Sequence, residues 1–264
     1  MEFGDAIQDY AKEIYKLELE TGRATTTALA ERLRVSPASV TGMLKRLAAL
    51  DLVAYEPYRG VTLTAAGTRL ALEVIRHHRL LERYLVDTLG LSLDLVHAEA
   101  DRLEHALSEN LEAAIDESLG FPTHDPHGDP IPDAALRVAP SAFKQLTQLI
   151  PGEAATVRRV PDGDADVLRY LAELRLLPGE RVLLHTAAPF QGPLTVEVDG
   201  ASHAIAHDLA VQIGVDLEDW RNRGRRRRNR RRRRLAIHAF RRLSGVSDAL
   251  PRHDAASENR PAPR

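Results

Sequence analysis

The sequence predicts a mainly α chain: an N-terminal winged helix-turn-helix, an all-α region, a small C-terminal β-barrel and an Arg-rich disordered tail. Three observations predict it. Helical apolar spacing fills residues 6–50 and resumes from 65 to 119, broken only by the short strand-like pair "LVAYEPYRGVTLT". The Pro/Gly-rich stretch "GFPTHDPHGDPIPD" cannot continue a helix. Beyond it the pattern changes to short β-type runs, and past Trp220 to "RNRGRRRRNRRRRRL". The expected boundaries are 1–64, 65–120, a linker at 121–140, 141–219 and a tail at 220–264.

Each element has a local reason. In "AIQDYAKEIYKLELE", Ile7, Tyr10, Ala11, Ile14 and Leu17 share one helical face, and Gly22 supplies a stop. A second helix, "TTALAERLR", precedes the tight "RLRVSP" turn, where Ser36 caps and Pro37 opens the third helix. Two strands then flank a turn at Tyr58–Gly60. From Ala65 two long helices are expected, one to about Gly90 and one from Ser92 to Leu119. "GEAATVRRV", "ERVLLHTA" and "PLTVEVDG" read as barrel strands, interrupted by the helical "DVLRYLAELRL" and closed by "ASHAIAHDLAVQIGVDL".

Composition narrows the functional classes. The chain has 264 residues and no cysteine, which excludes disulfides and thiolate metal sites. The acidic start "MEFGDAIQDY" lacks a signal-peptide layout and no apolar run is long enough to span a membrane, so a cytoplasmic protein is expected. The net charge of −2 conceals an asymmetry. Residues 65–220 hold 12 Lys and Arg against 26 Asp and Glu, whereas residues 221–264 hold 16 against 3. A basic tail on an acidic body suits a polyanionic partner, or simply a solvated tail.

Two helices joined by a short turn and followed by a two-stranded wing make a DNA-binding unit. The helix opening at Ser36 and Pro37 is expected in the major groove, with Ser39, Thr41, Gly42, Lys45 and Arg46 on its outer face. Val40, Leu44 and Leu47 would anchor it, and Arg59 at the wing tip would meet a phosphate. The alternative is a winged helix used for protein contact, which the capped, short-turned recognition helix favours less.

The stretch "VHAEADRLEH" concentrates metal-capable groups. On a regular helix counted from His97, Asp101, Glu104 and His105 fall at about 40°, −20° and 80°. All lie beside the apolar stripe of Val96, Ala100, Leu103, Leu107, Leu111 and Ala114. A salt-bridged face would explain one or two of these groups, with Arg102 as partner. It does not explain four along an edge that must be buried, where carboxylates are costly unless neutralised. His78 and Glu82 repeat the arrangement at i, i+4 on the preceding helix, and facing His and carboxylate sets suit a transition metal. His77 points about 100° away from His78; His124 and His127 are read as ordering the connector turn.

With "HHRLLERYL", "VHAEADRLEH" and "DPHGDPIP", the chain resembles the diphtheria-toxin-repressor and manganese-transport-regulator family of metal-dependent transcription factors over about residues 5–215. The resemblance implies a C-terminal SH3-like, FeoA-like domain and a homodimer paired through the helical region, binding double-stranded operator DNA when metal is loaded. It implies a main metal site of Asp9, Asp101, Glu104 and His105, and an ancillary site of His78, Glu82 and His97, completed by Asp164 or Asp166. Acids at 9 and 101, where iron-sensing members carry Met and Cys, imply Mn(II), with Fe(II) the alternative and Zn(II) or Co(II) binding in vitro. Lys12 stands where manganese-sensing relatives can offer a second carboxylate, and Gly42 where iron-sensing relatives carry a base-reading Gln. The expected mechanism is that unneutralised carboxylates repel without metal and leave the first helix free. Rivals are a metallohydrolase using Glu99 or Glu104 as base, and a metal-independent winged-helix regulator.

Overall fold

The computed structural model describes residues 3–56, 60–140 and 143–217. The Arg-rich tail and Arg59 at the wing tip lie outside the described residues. Helix α1 (Asp5–Thr21) ends at Gly22, whose left-handed φ of 78° returns its N–H to the Glu18 carbonyl. Helix α2 (Thr26–Leu33) is capped by Thr25, and α3 (Pro37–Ala49) by Ser36, whose hydroxyl accepts from the Ser39 N–H at 3.1 Å. The wing is an antiparallel pair, β1 (Val53–Glu56) and β2 (Gly60–Leu63). The predicted anchors Val40, Leu44 and Leu47 are fully buried in one core with Ile7, Tyr10, Ile14 and Leu17 of α1.

Helix α4 (Ala65–Asp87) packs along α1 and carries Leu80 and Leu81 into a second core. The second long helix of the sequence reading is not continuous. It is α5 (Leu93–Leu103), a 3-10 turn at Glu104–Ala106, and then α6 (Glu109–Ser118). Leu107 is extended and Ser108 starts α6 by accepting the Leu111 N–H. The break splits the expected apolar stripe: Val96, Ala100 and Leu107 are buried, while Leu103, Leu111 and Ala114 are exposed.

The C-terminal part is a six-stranded antiparallel sheet in the order β3-β8-β4-β5-β6-β7. Its strands are β3 (Lys144–Gln145), β4 (Ala154–Arg159), β5 (Arg181–Ala187), β6 (Leu194–Val198), β7 (Ala201–Ile205) and β8 (Gly214–Leu217), joined by α7 (Ala165–Glu173) and α8 (His207–Gln212). Alternating burial along β6 feeds a third core with Leu168, Leu171 and Ile213. Among the described residues no helix is long and apolar enough to cross a membrane. The predicted fold class, a winged helix and helical region followed by a small sheet domain, is the one observed.

Candidate metal centre and DNA-binding face

Helix α1 brings Asp9 and Lys12 on adjacent turns against the end of α5, because its apolar stripe must pack on α4 and the winged-helix core. The Asp9 carboxylate is 3.0 Å from His105 Nε2, and the other ring nitrogen of His105 lies 2.9 Å from Gln8 Oε1. Glu104 is wholly buried, with Oε1 3.5 Å from His105 Nε2. Asp9, Glu104 and His105 therefore converge, each offering an atom within 4.8 Å of the others. The 3-10 turn makes this convergence, since it re-aims Glu104 and His105 away from the regular α-helical track.

Asp101 does not join that trio. It faces His78 Nδ1 at 3.3 Å and His97 Nε2 at 3.7 Å, and with these two histidines forms a second group. His78 joins the sets: Nδ1 meets Glu104 Oε2 at 2.6 Å, and Nε2 meets Glu82 Oε1 at 3.0 Å. His97 Nδ1 lies 3.2 Å from the same Glu82 oxygen, and the two imidazoles pack edge to face. Burial alone would lower the basicity of His78, but Glu82, Asp101 and Glu104 outweigh it and hold its pKa well above the ordinary value.

The carboxylates are not left to repel one another. Lys12, buried, places Nζ 2.5 Å from Glu104 Oε1 and 3.0 Å from Asp101 Oδ1. Burial acts to raise both carboxyls, yet His78 and Lys12 keep Asp101 and Glu104 below the usual carboxylate range. Asp9 is the exception: burial raises it despite His105 and Lys12. This ammonium links α1 to Asp101 at the end of α5 and to Glu104 in the turn that follows.

A third group forms where the sequence reading expects only an ordered connector turn. The connector folds "DPHG" onto α4, so that His127 Nδ1 sits 3.4 Å from Glu82 Oε2, with Asp125 beside them. All three are buried, and Glu82 Oε2, Asp125 Oδ2 and His127 Nδ1 lack hydrogen-bond partners. Burial, reinforced by Glu82 and Asp129, pushes the Asp125 carboxyl up to about 7. Burial opposes ionisation of His127, but Glu82 and Asp125 push it up to about 9. Orphaned buried acceptors around an imidazole are what a cation would satisfy. From the sheet domain, Asp164 and Asp166 join none of these groups: both are exposed, Asp164 capping α7 and Asp166 pairing with Arg169. Burial acts to raise the carboxyl of Asp162, but the charges of Lys16, His97 and His127 outweigh it and Glu82, and hold it below the usual carboxylate range.

On the other side of the winged helix, Ser36, Pro37, Ser39, Gly42, Lys45 and Arg46 are exposed, as a groove-reading face requires. Thr41 is half-buried and its hydroxyl is turned back to the Pro37 carbonyl at 2.9 Å. The Ser36 and Ser39 hydroxyls meet at 2.8 Å, so capping already engages them.

Residues 2–61 match the family model described as iron dependent repressor, N-terminal DNA binding domain, and residues 64–133 the one described as iron dependent repressor, metal binding and dimerisation domain. Residues 144–217 match a FeoA domain. The iron-dependent repressor IdeR of Mycobacterium tuberculosis is 34% identical over 228 residues, covering 81% of this chain and 98% of that protein. This chain belongs to the iron-dependent repressor family. The diphtheria toxin repressor of Corynebacterium efficiens, another member, is 39% identical over 228 residues, covering 83% of this chain and 98% of its own length. Among solved structures, a manganese-dependent transcriptional repressor in complex with manganese superimposes with a TM-score of 0.73 at 39% identity, covering 80% of this chain and all of that one. Family membership places the chain among metal-dependent transcriptional repressors rather than enzymes.

Proposed function

We propose that this metal-dependent repressor is manganese-responsive and binds operator DNA in the cytoplasm as a homodimer, with the metal tying its winged helix to its helical region. The observation that carries this reading is the convergence of Asp9, from α1, on Glu104 and His105, from the turn after α5. The donor set fits a divalent ion: two carboxylates and one imidazole, with no sulfur, suit a hard cation. A bound ion would supply the positive charge that lets both carboxylates close on the imidazole. Gln8 holds the far nitrogen of His105 and so fixes which face of the ring meets Asp9. Fixing α1 fixes the packing of α3 through the shared core of Ile14, Leu44 and Leu47. The spacing of two recognition helices in a dimer must match a DNA turn of about 34 Å, so a tie at Asp9 bears directly on operator affinity. Leu103 and Leu111, exposed in the single chain, offer apolar surface to a second copy.

A second metal position is supported by Glu82, Asp125 and His127, whose inward atoms make no hydrogen bond and meet other charged groups only at ion-pair distance, Glu82 Oε2 with His127 Nδ1 at 3.4 Å and Asp125 Oδ2 with Arg79 Nε at 3.5 Å. Asp101, expected in the main site, groups instead with His78 and His97. Ions of the softer, later type bind most N/O sites more tightly than Mn(II), so selectivity must lie in activation. Zn(II) settles for four ligands and can leave Asp9 loose. Saturating Mn(II) is therefore expected to raise DNA affinity at least tenfold more than saturating Zn(II), measured by anisotropy on a DNA fragment selected with the metal-loaded protein. Equal activation by both would refute the manganese assignment, and activation by Fe(II) alone would reassign the chain to iron.

A further inference from the structure

Lys12 is the one cationic side chain that α1 sends into the ligand cluster among the described residues. Its stem and ammonium are 7% exposed, and its two partners are the very carboxylates that the sequence reading gives to metal. The atoms matter. Glu104 Oε2 is taken by His78 at 2.6 Å, so Oε1 is the Glu104 oxygen left to face Asp9 and His105. Oε1 is also the atom 2.5 Å from Lys12 Nζ. A divalent ion and an ammonium cannot both draw on one buried oxygen at contact distance without strong like-charge repulsion.

We propose that Lys12 is the resident counter-ion of this site: its ammonium neutralises Glu104 and Asp101 until a divalent ion gathered by Asp9, Glu104 and His105 displaces it. The inference rests on the metal reading above. Its consequence is a threshold. Metal must do more than fill a ready cradle, because it replaces an ion pair that already links α1 to α5. Lys12 acts through the ligands as a positioning residue and contributes no metal bond of its own. Asp9 and Lys12 are three residues apart on one face of α1, so the tie from that helix passes from one side chain to its neighbour one turn away.

The test is Mn(II) affinity of the full chain, read from the electron paramagnetic resonance signal of free Mn(II). Lys12→Met removes the charge while keeping the stem, and is expected to tighten the Asp9-dependent site at least tenfold; unchanged or weaker binding overturns the proposal. Because the metal-free variant leaves Asp101 and Glu104 with His78 but without their ammonium, Lys12→Gln is measured alongside, and purification with Mn(II) present followed by chelation gives the same constant. A second readout uses the native chain: reductive methylation of Lys12 should accelerate on Mn(II) saturation while that of Lys45 stays constant. Equal Lys12 reactivity with and without metal overturns displacement. If Asp9→Ala and His105→Ala leave Mn(II) binding untouched, the site reading has failed; if they weaken it and Lys12→Met does nothing, only the counter-ion role has.

Discussion

Replacing Asp9 with Ala should lower metal-stimulated DNA affinity by on the order of 100-fold while leaving dimerisation and the winged-helix fold intact. Loss of an outer-shell partner alone typically costs 10–100-fold in metal affinity or activity, and Asp9 is closer to the centre than that. It is the one member of the Asp9, Glu104, His105 trio that comes from the DNA-binding unit. Without it Glu104 and His105 can still attract a cation, but nothing in that cation's shell reaches α1. The variant should therefore retain part of its Mn(II) binding and lose most of the coupling to DNA. Its side chain is 40% exposed, so thermal stability of the metal-free protein should change little. Sedimentation velocity, Mn(II) titration and DNA anisotropy on one preparation separate these effects; metal-stimulated binding at native strength would remove Asp9 from the mechanism.

The second large effect is expected at Gly128. Its φ is +102°, and a Cβ placed there would stand 1.8 Å from the Arg158 carbonyl oxygen of β4. No rotamer change relieves a clash with backbone, so Gly128→Ala must lift the connector off the sheet domain. Much is lost with it. The Asp125 carboxylate accepts the N–H groups of Gly128 and Asp129 at 2.8 and 2.9 Å, the Val160 N–H reaches the His127 carbonyl at 2.9 Å, and Arg159 pairs with Asp129 at 2.7 Å. A cost of at least ~3 kcal/mol to this docking is expected, in the range of backbone-strain substitutions. Because the same turn presents His127 and Asp125 to Glu82, one Mn(II)-binding step should weaken by at least tenfold while the Asp9-dependent step survives. Thermal unfolding and Mn(II) titration of the variant check both halves; native stability with two undisturbed binding steps would mean that the connector does not build a site.

The contrast between these two positions shows which features could be read from residues in order. Ser36 followed by Pro37, and the helical spacing of Val40, Leu44 and Leu47, are local signals, and the recognition helix stands where they put it. His78 with Glu82 and the 97–105 cluster were legible because i, i+4 spacing on a helix is nearly a distance. The grouping was not. Constant 100° steps carry Asp101, Glu104 and His105 along one stripe, but the chain tightens into a 3-10 turn at Glu104 and separates Asp101 from the other two. Ser108, followed by Glu109 and Glu112 in the next first turn, was the signal for that break.

Asp125 and His127 could not be placed from spacing at all. They reach Glu82 because a glycine-permitted turn folds back over more than forty residues of chain, and nothing local marks the destination. Asp164 and Asp166 are close to the expected place in sequence, but in the structure they join none of the candidate groups. Asp164 has the position of a helix cap and serves as one. Lys12 was visible as a departure from an acidic pattern. That it fills the space between two carboxylates is a fact of tertiary packing.

The measurement that bears most directly on a metal tie between the winged helix and the helical region is DNA affinity of the full chain with Mn(II), without it, and after chelation. A fragment selected with the metal-loaded protein, followed by anisotropy at fixed salt, suffices. The tie through Asp9, Glu104 and His105 predicts an affinity at least 100-fold higher with Mn(II), reversed completely by chelator, and by linkage an equal tightening of Mn(II) by the DNA. Equal DNA affinity in all three conditions would contradict it.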